Sequence, residues 1–226
     1  MARYDRAITV FYADGLLFLV EYALEAISKG NTAVGVGGSD VFVLGVDKST
    51  AKLQDSRSVR KINVSLDEHV ALACVGLKAV ARVLINKAQI ECQSHGLTFE
   101  DTVESVTCYT VGLRQKYTQS GGVRPFGLST LIAGFDSYTG ISSLYQTDPS
   151  RIFSAWKANA TGRNSNSMRE FLEKNYEETS GPETIKLAIR ALIGQQTSGF
   201  YCGGKNIEIA MMTKEHGLRQ LEEAKI

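Results

Sequence analysis

Two nearly continuous apolar runs, Thr32 to Val36 and Val41 to Val46, face each other across Gly37-Gly38-Ser39-Asp40. A half-exposed hairpin would alternate apolar and polar side chains. One with apolar residues at almost every position predicts strands covered on both faces. A second hairpin follows a polar stretch from Asp47 to Arg60: Lys61 to Val64 and Val70 to Val75 flank Asp67-Glu68-His69, and Gly76 ends it. Helical spacing then takes over from Ala79 to His95, with Ala81, Leu84, Ile85, Ala88 and Cys92 on one face. Thr98 to Asp101 offers a cap for a second helix bearing Val103, Val106, Thr110, Leu113 and Tyr117. Strands are expected at 127–135, 143–146 and 152–158, with Pro149 breaking the chain between the last two. Helices over 165–176 and 183–193 and a strand over 206–212 complete the order.

Runs of strands followed by pairs of helices exclude a doubly wound parallel sheet, in which the elements would alternate singly. Strands apolar on both faces and helices apolar on one are all buried by two stacked sheets with a helical layer on each outer side. The fold class expected is therefore α+β, a four-layer αββα sandwich. The 226 residues are read as a single domain.

Ahead of the first strand, Leu19 to Lys29 places Glu21, Glu25, Ser28 and Lys29 on one side of a helix and Val20, Ala23, Leu24, Ala26 and Ile27 over the rest. Glu25 and Lys29 form an i,i+4 pair in the favourable orientation, and Gly30 is expected to close the helix in the left-handed conformation. A helix this short is marginal alone in water, so its wide apolar face must rest on its own domain or on a neighbour.

Lysine and arginine number 25 against 24 aspartates and glutamates, so no basic field points to nucleic acid or to an anionic membrane. No apolar run approaches a membrane span and no signal-peptide pattern opens the chain, which predicts a soluble, intracellular protein. Cys74, Cys92, Cys108 and Cys202 lack CxxC spacing and read as buried thiols in a reducing compartment. His69, His95 and His216 are isolated, so no metal and no cofactor is expected. HExxH, GxSxG, P-loop and GxGxxG runs are all missing, and the Gly35, Gly37, Gly38 cluster reads as a hairpin turn. Asp47, ending the second strand, and Lys61, starting the third, are the polar pair that could activate a nucleophile, but the chain offers no evident nucleophile for them.

The run YDRAITVFYADGLLFLVEYALEA, Tyr4 to Ala26, resembles the N-terminal motif of alpha subunits of the 20S proteasome, a family with the αββα sandwich of the N-terminal nucleophile hydrolases. The resemblance continues through GNTAVGV, KLQD at Lys52 to Asp55, RPFG at Arg124 to Gly127, YQTDPS at Tyr145 to Ser150 and GGKNIEIA at Gly203 to Ala210. It covers essentially the whole chain. Cys92 to Asp101, Lys116 to Gly127 and Trp156 to Ser165 resemble most closely a single paralogue of that ring, the one at its fourth position.

In the catalytic beta subunits a propeptide is removed, leaving a first-strand threonine whose hydroxyl attacks and whose amine is the base. The matching position here is Asn31, an amide. Asp47 and Lys61 match the catalytic aspartate and lysine, but without a nucleophile the resemblance implies a non-catalytic subunit. It further implies that residues 1–30 form a gate segment and ring-packing helix ahead of a core over 31–226. Tyr4, Asp5, Arg6, Ala13 and Tyr22 would belong to the gate, although the family usually has proline at Ala13. Lys61, with Glu21 and Gly76, resembles the pocket that receives the C-terminal carboxylate of an ATPase or other activator. Arg151 stands where glycine is common, and relatives carry a further helix and tail beyond Ile226. The partners implied are neighbouring alpha subunits, beta-ring subunits and activator tails; the setting is ubiquitin-dependent protein degradation in cytoplasm and nucleus. Two rivals remain open: a self-processing hydrolase cleaved to expose Thr32, and a free-standing binding domain.

Overall fold

A computed structural model describes residue 11 and residues 17–47, 63–95, 102–120, 123–136, 139–150, 152–178, 180–194 and 207–221, the side chain of His95 excepted. The elements in order are α1 (Phe18–Ser28), β1 (Thr32–Gly37), β2 (Val41–Asp47), β3 (Asn63–Ser65), β4 (Val70–Gly76), α2 (Lys78–His95) and α3 (Val103–Gln119). They continue with β5 (Leu128–Phe135), β6 (Ser142–Thr147), β7 (Phe153–Ala155), β8 (Ala158–Gly162), α4 (Ser165–Asn175), α5 (Gly181–Ile193), β9 (Ile207–Thr213) and β10 (Arg219–Gln220).

One sheet has the order β10-β9-β2-β1-β8 and the other β3-β4-β5-β6-β7, and every pairing is antiparallel. Helices α4 and α5 lie on the first sheet and α2 and α3 on the second, which is the four-layer sandwich expected. The first hairpin shows why its strands lack polar alternation. Ala33, Phe42, Leu44 and Val46 point into the core between the sheets, while Val34, Val36, Val41 and Val43 point out into the core beneath α4 and α5. Alternate residues of a strand face opposite ways, and both ways here lead to apolar partners. Phe42 meets Phe135 of the other sheet, with ring centroids 5.4 Å apart.

Several expectations are corrected. The segment 152–158 is not one strand: the Trp156 N–H donates to Leu144 O at 2.8 Å in one sheet, while Lys157 O accepts from the Gly37 N–H at 2.9 Å in the other. The chain changes sheets between those two residues. Gly30 is not left-handed; Lys29 caps α1 in the right-handed region, and the Gly30 N–H donates to Ile27 O at 2.8 Å. The glycine serves close approach instead, because a Cβ there would lie 3.1 Å from the Gly76 nitrogen. The cap of α3 is Thr102, whose hydroxyl accepts from the Ser105 N–H at 3.2 Å, not a residue of 98–101. Cys108 is exposed on α3, whereas Cys74 and Cys92 are buried. The short β10, too brief to leave a periodic signal, extends the first sheet beyond β9.

Candidate functional site

The end of the sandwich where a first-strand nucleophile would act is built from α1, the starts of β1 and β5 and the ends of β4 and β8, with α1 packed against β4, β5 and β8. The wide apolar face of α1 explains this only in part. Ala23 and Ile27 are buried on the domain, but Tyr22 and Leu24 remain exposed. The Glu25–Lys29 pair forms at 3.0 Å on the solvated side. Tyr22 stacks on Phe18, with centroids 6.0 Å and planes 21° apart.

From α1 the chain passes through Lys29, Gly30 and Asn31 directly into β1. Thr32 is 6% exposed, and its hydroxyl donates to Arg163 O at 2.9 Å. The Asn31 side-chain amide donates to Asp47 O at 2.9 Å, and an Arg163 Nη2–H donates to Lys29 O at 3.3 Å. Beside this junction β8 ends at Gly162 with φ 101°, where a Cβ would collide with the Asn31 carbonyl oxygen. Gly76 ends β4 with φ 116°, where a Cβ would collide with the Gly127 carbonyl. Two positive-φ glycines therefore let four backbone segments close on one another at the mouth of the sandwich. Asn31 brings an amide and no hydroxyl to the first-strand position, and the neighbouring Thr32 hydroxyl is committed to a carbonyl.

The structure places Glu21 in the first turn of α1 and Gly76 against Gly30 just beyond the last, so the length of the helix separates those two candidates within one chain. Tyr22 lies on the exposed side of the same helix. Tyr4, Asp5, Arg6, Ala13, Lys61, Arg151 and Cys202 lie outside the described residues, as does the KLQD segment. A cavity of about 370 Å³ opens beside Gly76, between β3–β4 and α2, lined among others by Val64, Cys74, Lys78, Arg82 and Gln89. Among the described residues no three metal-ligating side chains gather. No described helix is long and apolar enough to cross a membrane.

Sequence reasoning missed a buried polar layer behind the mouth. Arg114 of α3 is wholly buried, donating from Nη2 to Thr130 Oγ1 at 3.0 Å and from Nη1 to Thr147 O at 3.2 Å. Burial pulls its guanidinium down to about 10, opposed by the nearby Cys74 and Asp148. Ser129 and Gln146 donate to Asp148, so the polar part of the YQTDPS run faces inward. The available signal was the row Thr107, Thr110, Arg114 and Thr118, a polar stripe at helical spacing, all four of which are buried.

Comparison with known proteins agrees with this geometry. The proteasome subunit family profile matches residues 27–212. The chain is 75% identical to proteasome subunit alpha type-7 of Solanum lycopersicum, over all of this chain and 86% of that protein. It is 74% identical to proteasome subunit alpha type-7-B of Arabidopsis thaliana and 58% identical to proteasome subunit alpha type-7 of Dictyostelium discoideum, over all of this chain and 90% and 89% of those proteins. With a family profile over most of its length, alpha-subunit relatives along all of it, and Asn31 where a catalytic member needs an N-terminal threonine, the chain belongs to the proteasome subunit family, as an alpha subunit and not a catalytic beta subunit.

Proposed function

We propose that the chain occupies one place in the outer alpha ring of the 20S core particle, packing between two alpha neighbours and onto the beta ring, and serves assembly, gating and regulator docking. The observation that carries this reading is Asn31, an amide at the first-strand position, whose side chain donates to Asp47 O while the neighbouring Thr32 hydroxyl donates to Arg163 O. The exposed Tyr22 and Leu24 support a role for α1 as a surface for a neighbouring subunit. Residues 1–11, with Tyr4, Asp5, Arg6, Ala13 and Tyr22, then form part of the gate. Lys61 with Gly76 receives an activator's C-terminal carboxylate, since a lysine ammonium is a suitable point charge for that group, and Gly76 itself borders the cavity at β4. Because α1 holds Glu21 apart from Gly76 within one chain, Glu21 serves the pocket between this subunit and its neighbour. The particle's setting would be the cytoplasm and nucleus, in ubiquitin-dependent degradation.

The test begins with the intact and native mass of the chain taken from cells. The expected result is an uncleaved chain within a very large particle; loss of the first 31 residues, or a free monomer, overturns the reading. Lys61→Glu in assembled particles is expected to weaken activator binding, and unchanged affinity removes the docking assignment.

A further inference from the structure

Edge strands expose unpaired N–H and C=O groups, and proteins usually block them. On β8 the outward groups of Ala160 are taken by side chains: its N–H donates to Asn159 Oδ1 at 2.8 Å and its carbonyl accepts from Arg169 Nε at 3.0 Å. At β3 the Asn63 N–H meets Glu208 Oε1 at 3.4 Å and the Ser65 carbonyl accepts from Gln89 Nε2 at 3.0 Å. Strand β7 differs. Its ladder with β6 is bracketed by Asp148 N–H to Ile152 O at 3.2 Å and Trp156 N–H to Leu144 O at 2.8 Å, which turns Ile152, Ser154 and Trp156 toward β6. By the alternation of an antiparallel ladder, the N–H and C=O groups of Phe153 and Ala155 point away from the sheet. Among the described residues no strand lies on that side.

The bare edge is flanked by Ile152, 65% exposed, and Trp156, 42% exposed. Beyond it a hollow of about 250 Å³ holds Lys157, Arg169 and Glu173, two cations against one anion. The Arg169 guanidinium lies 6.0 Å from the Trp156 ring centroid. A partner strand would thus find two outward residues to pair with, apolar side chains at both ends and net positive charge at one end.

We propose that β7 is a strand-addition site for an extended segment of a neighbouring ring subunit, which pairs with Phe153 and Ala155 and sets a carboxylate side chain beside Lys157 and Arg169. Charge complementarity chooses an acid-bearing segment, and the two outward backbone pairs choose an extended one. The head-to-tail contacts that close a ring require just such an unlike pair of surfaces. This inference rests on the alpha-ring reading above.

Hydrogen exchange of the 152–157 peptide is to be compared between the free chain and particles purified through a tag on this chain. Exchange in the particle is expected to be at least about tenfold slower, since a paired amide must open before it exchanges. Ala155→Pro removes an outward N–H and no ladder bond, a placement proline tolerates on an edge. It is expected to leave the free chain folded and to lower incorporation several-fold, and Lys157→Glu, which leaves the backbone alone, is expected to do the same. Unprotected 152–157 amides in the particle, or full incorporation of both variants, overturn the strand-addition site while leaving ring membership standing. Protection that appears only when an activator is added overturns the assignment of the occupant. A wild-type chain found in no large particle overturns the ring reading itself.

Discussion

The Thr32 hydroxyl donates to the carbonyl of Arg163 across 2.9 Å, joining residues 131 positions apart at the point where β1 begins. In a self-activating hydrolase a hydroxyl at this end of the strand must be free to attack. Here it ties the start of β1 to the turn after β8, and the same Arg163 reaches back to Lys29.

Thr32→Val keeps the shape of the side chain and removes that bond. Peptide hydrolysis by the assembled particle is expected to be unchanged per particle, while the chain loses about 1 kcal/mol of stability. Fluorogenic peptide assays and thermal melts check both, and a loss of hydrolysis without a loss of assembly would restore Thr32 as a nucleophile.

Gly162→Ala places a Cβ at φ 101° against the Asn31 carbonyl. Backbone strain and the clash together are expected to cost about 3 kcal/mol or more, since neither backbone has room to withdraw. Denaturant unfolding of the purified chain measures it; a cost below about 1 kcal/mol would show that the junction yields.

Arg114→Ala opens a cavity under α3 and strips Thr130 and Thr147 of a donor. The expected loss is about 3 kcal/mol or more, whereas Arg114→Met, which fills the space without a buried charge, is expected to recover much of it. Equal losses in the two variants would mean that the guanidinium's hydrogen bonds, and not its volume, hold the layer together. Chemical denaturation of both variants decides.

Burial pushes the Cys74 thiol from its ordinary 9.0 up to about 12, with Arg114 opposing. A group whose folded pKa is raised contributes stability that is present below its unfolded pKa and is lost as pH rises toward the folded one. Arg114, pulled down to about 10, adds an opposite slope only above that pH. Between pH 9 and 10 stability is therefore expected to fall, with Cys74 contributing an amount approaching about 1.4 kcal/mol per pH unit and Cys108, raised by partial burial and by Glu104, adding to the fall. Cys74→Ala should flatten that slope, as urea midpoints across the interval would show. At neutral pH a thiol reagent is expected to reach Cys108, which is exposed, and to spare Cys74 and Cys92 until the chain unfolds.

The first hairpin was legible because both faces of β1 and β2 are apolar, which only a strand between two packed layers requires. The helices α2 and α5 were legible for the same kind of reason, a periodic face meeting a sheet. The run 152–158 was not, since nothing local to Trp156 and Lys157 says that one belongs to each sheet; two distant ladders decide it. The burial of Arg114 is not legible locally, because an arginine in a helix ordinarily marks the solvated side, and only the threonines on its own stripe and across on β5 and β6 make its burial sustainable. The lack of a hydroxyl at Asn31 is plain in the sequence, but Arg163 and Gly162, which close the junction around it, lie far along the chain and carry no local mark. Of the proposed gate and pocket residues only Glu21, Tyr22 and Gly76 fall within the described structure, on or beside α1.

The crossing at Trp156 and Lys157 gives the sandwich a stitched margin. Along the opposite border the two sheets are held by side-chain packing and by the hydrogen bonds of Asn63 to Glu208 and Leu44, but at this corner they share one uninterrupted thread, gripped on one side by Leu144 and on the other by Gly37. A sliding motion of one sheet over the other would have to stretch two residues that have no slack. A force delivered to β7 is therefore handed through that thread to β1, the strand whose other end anchors α1.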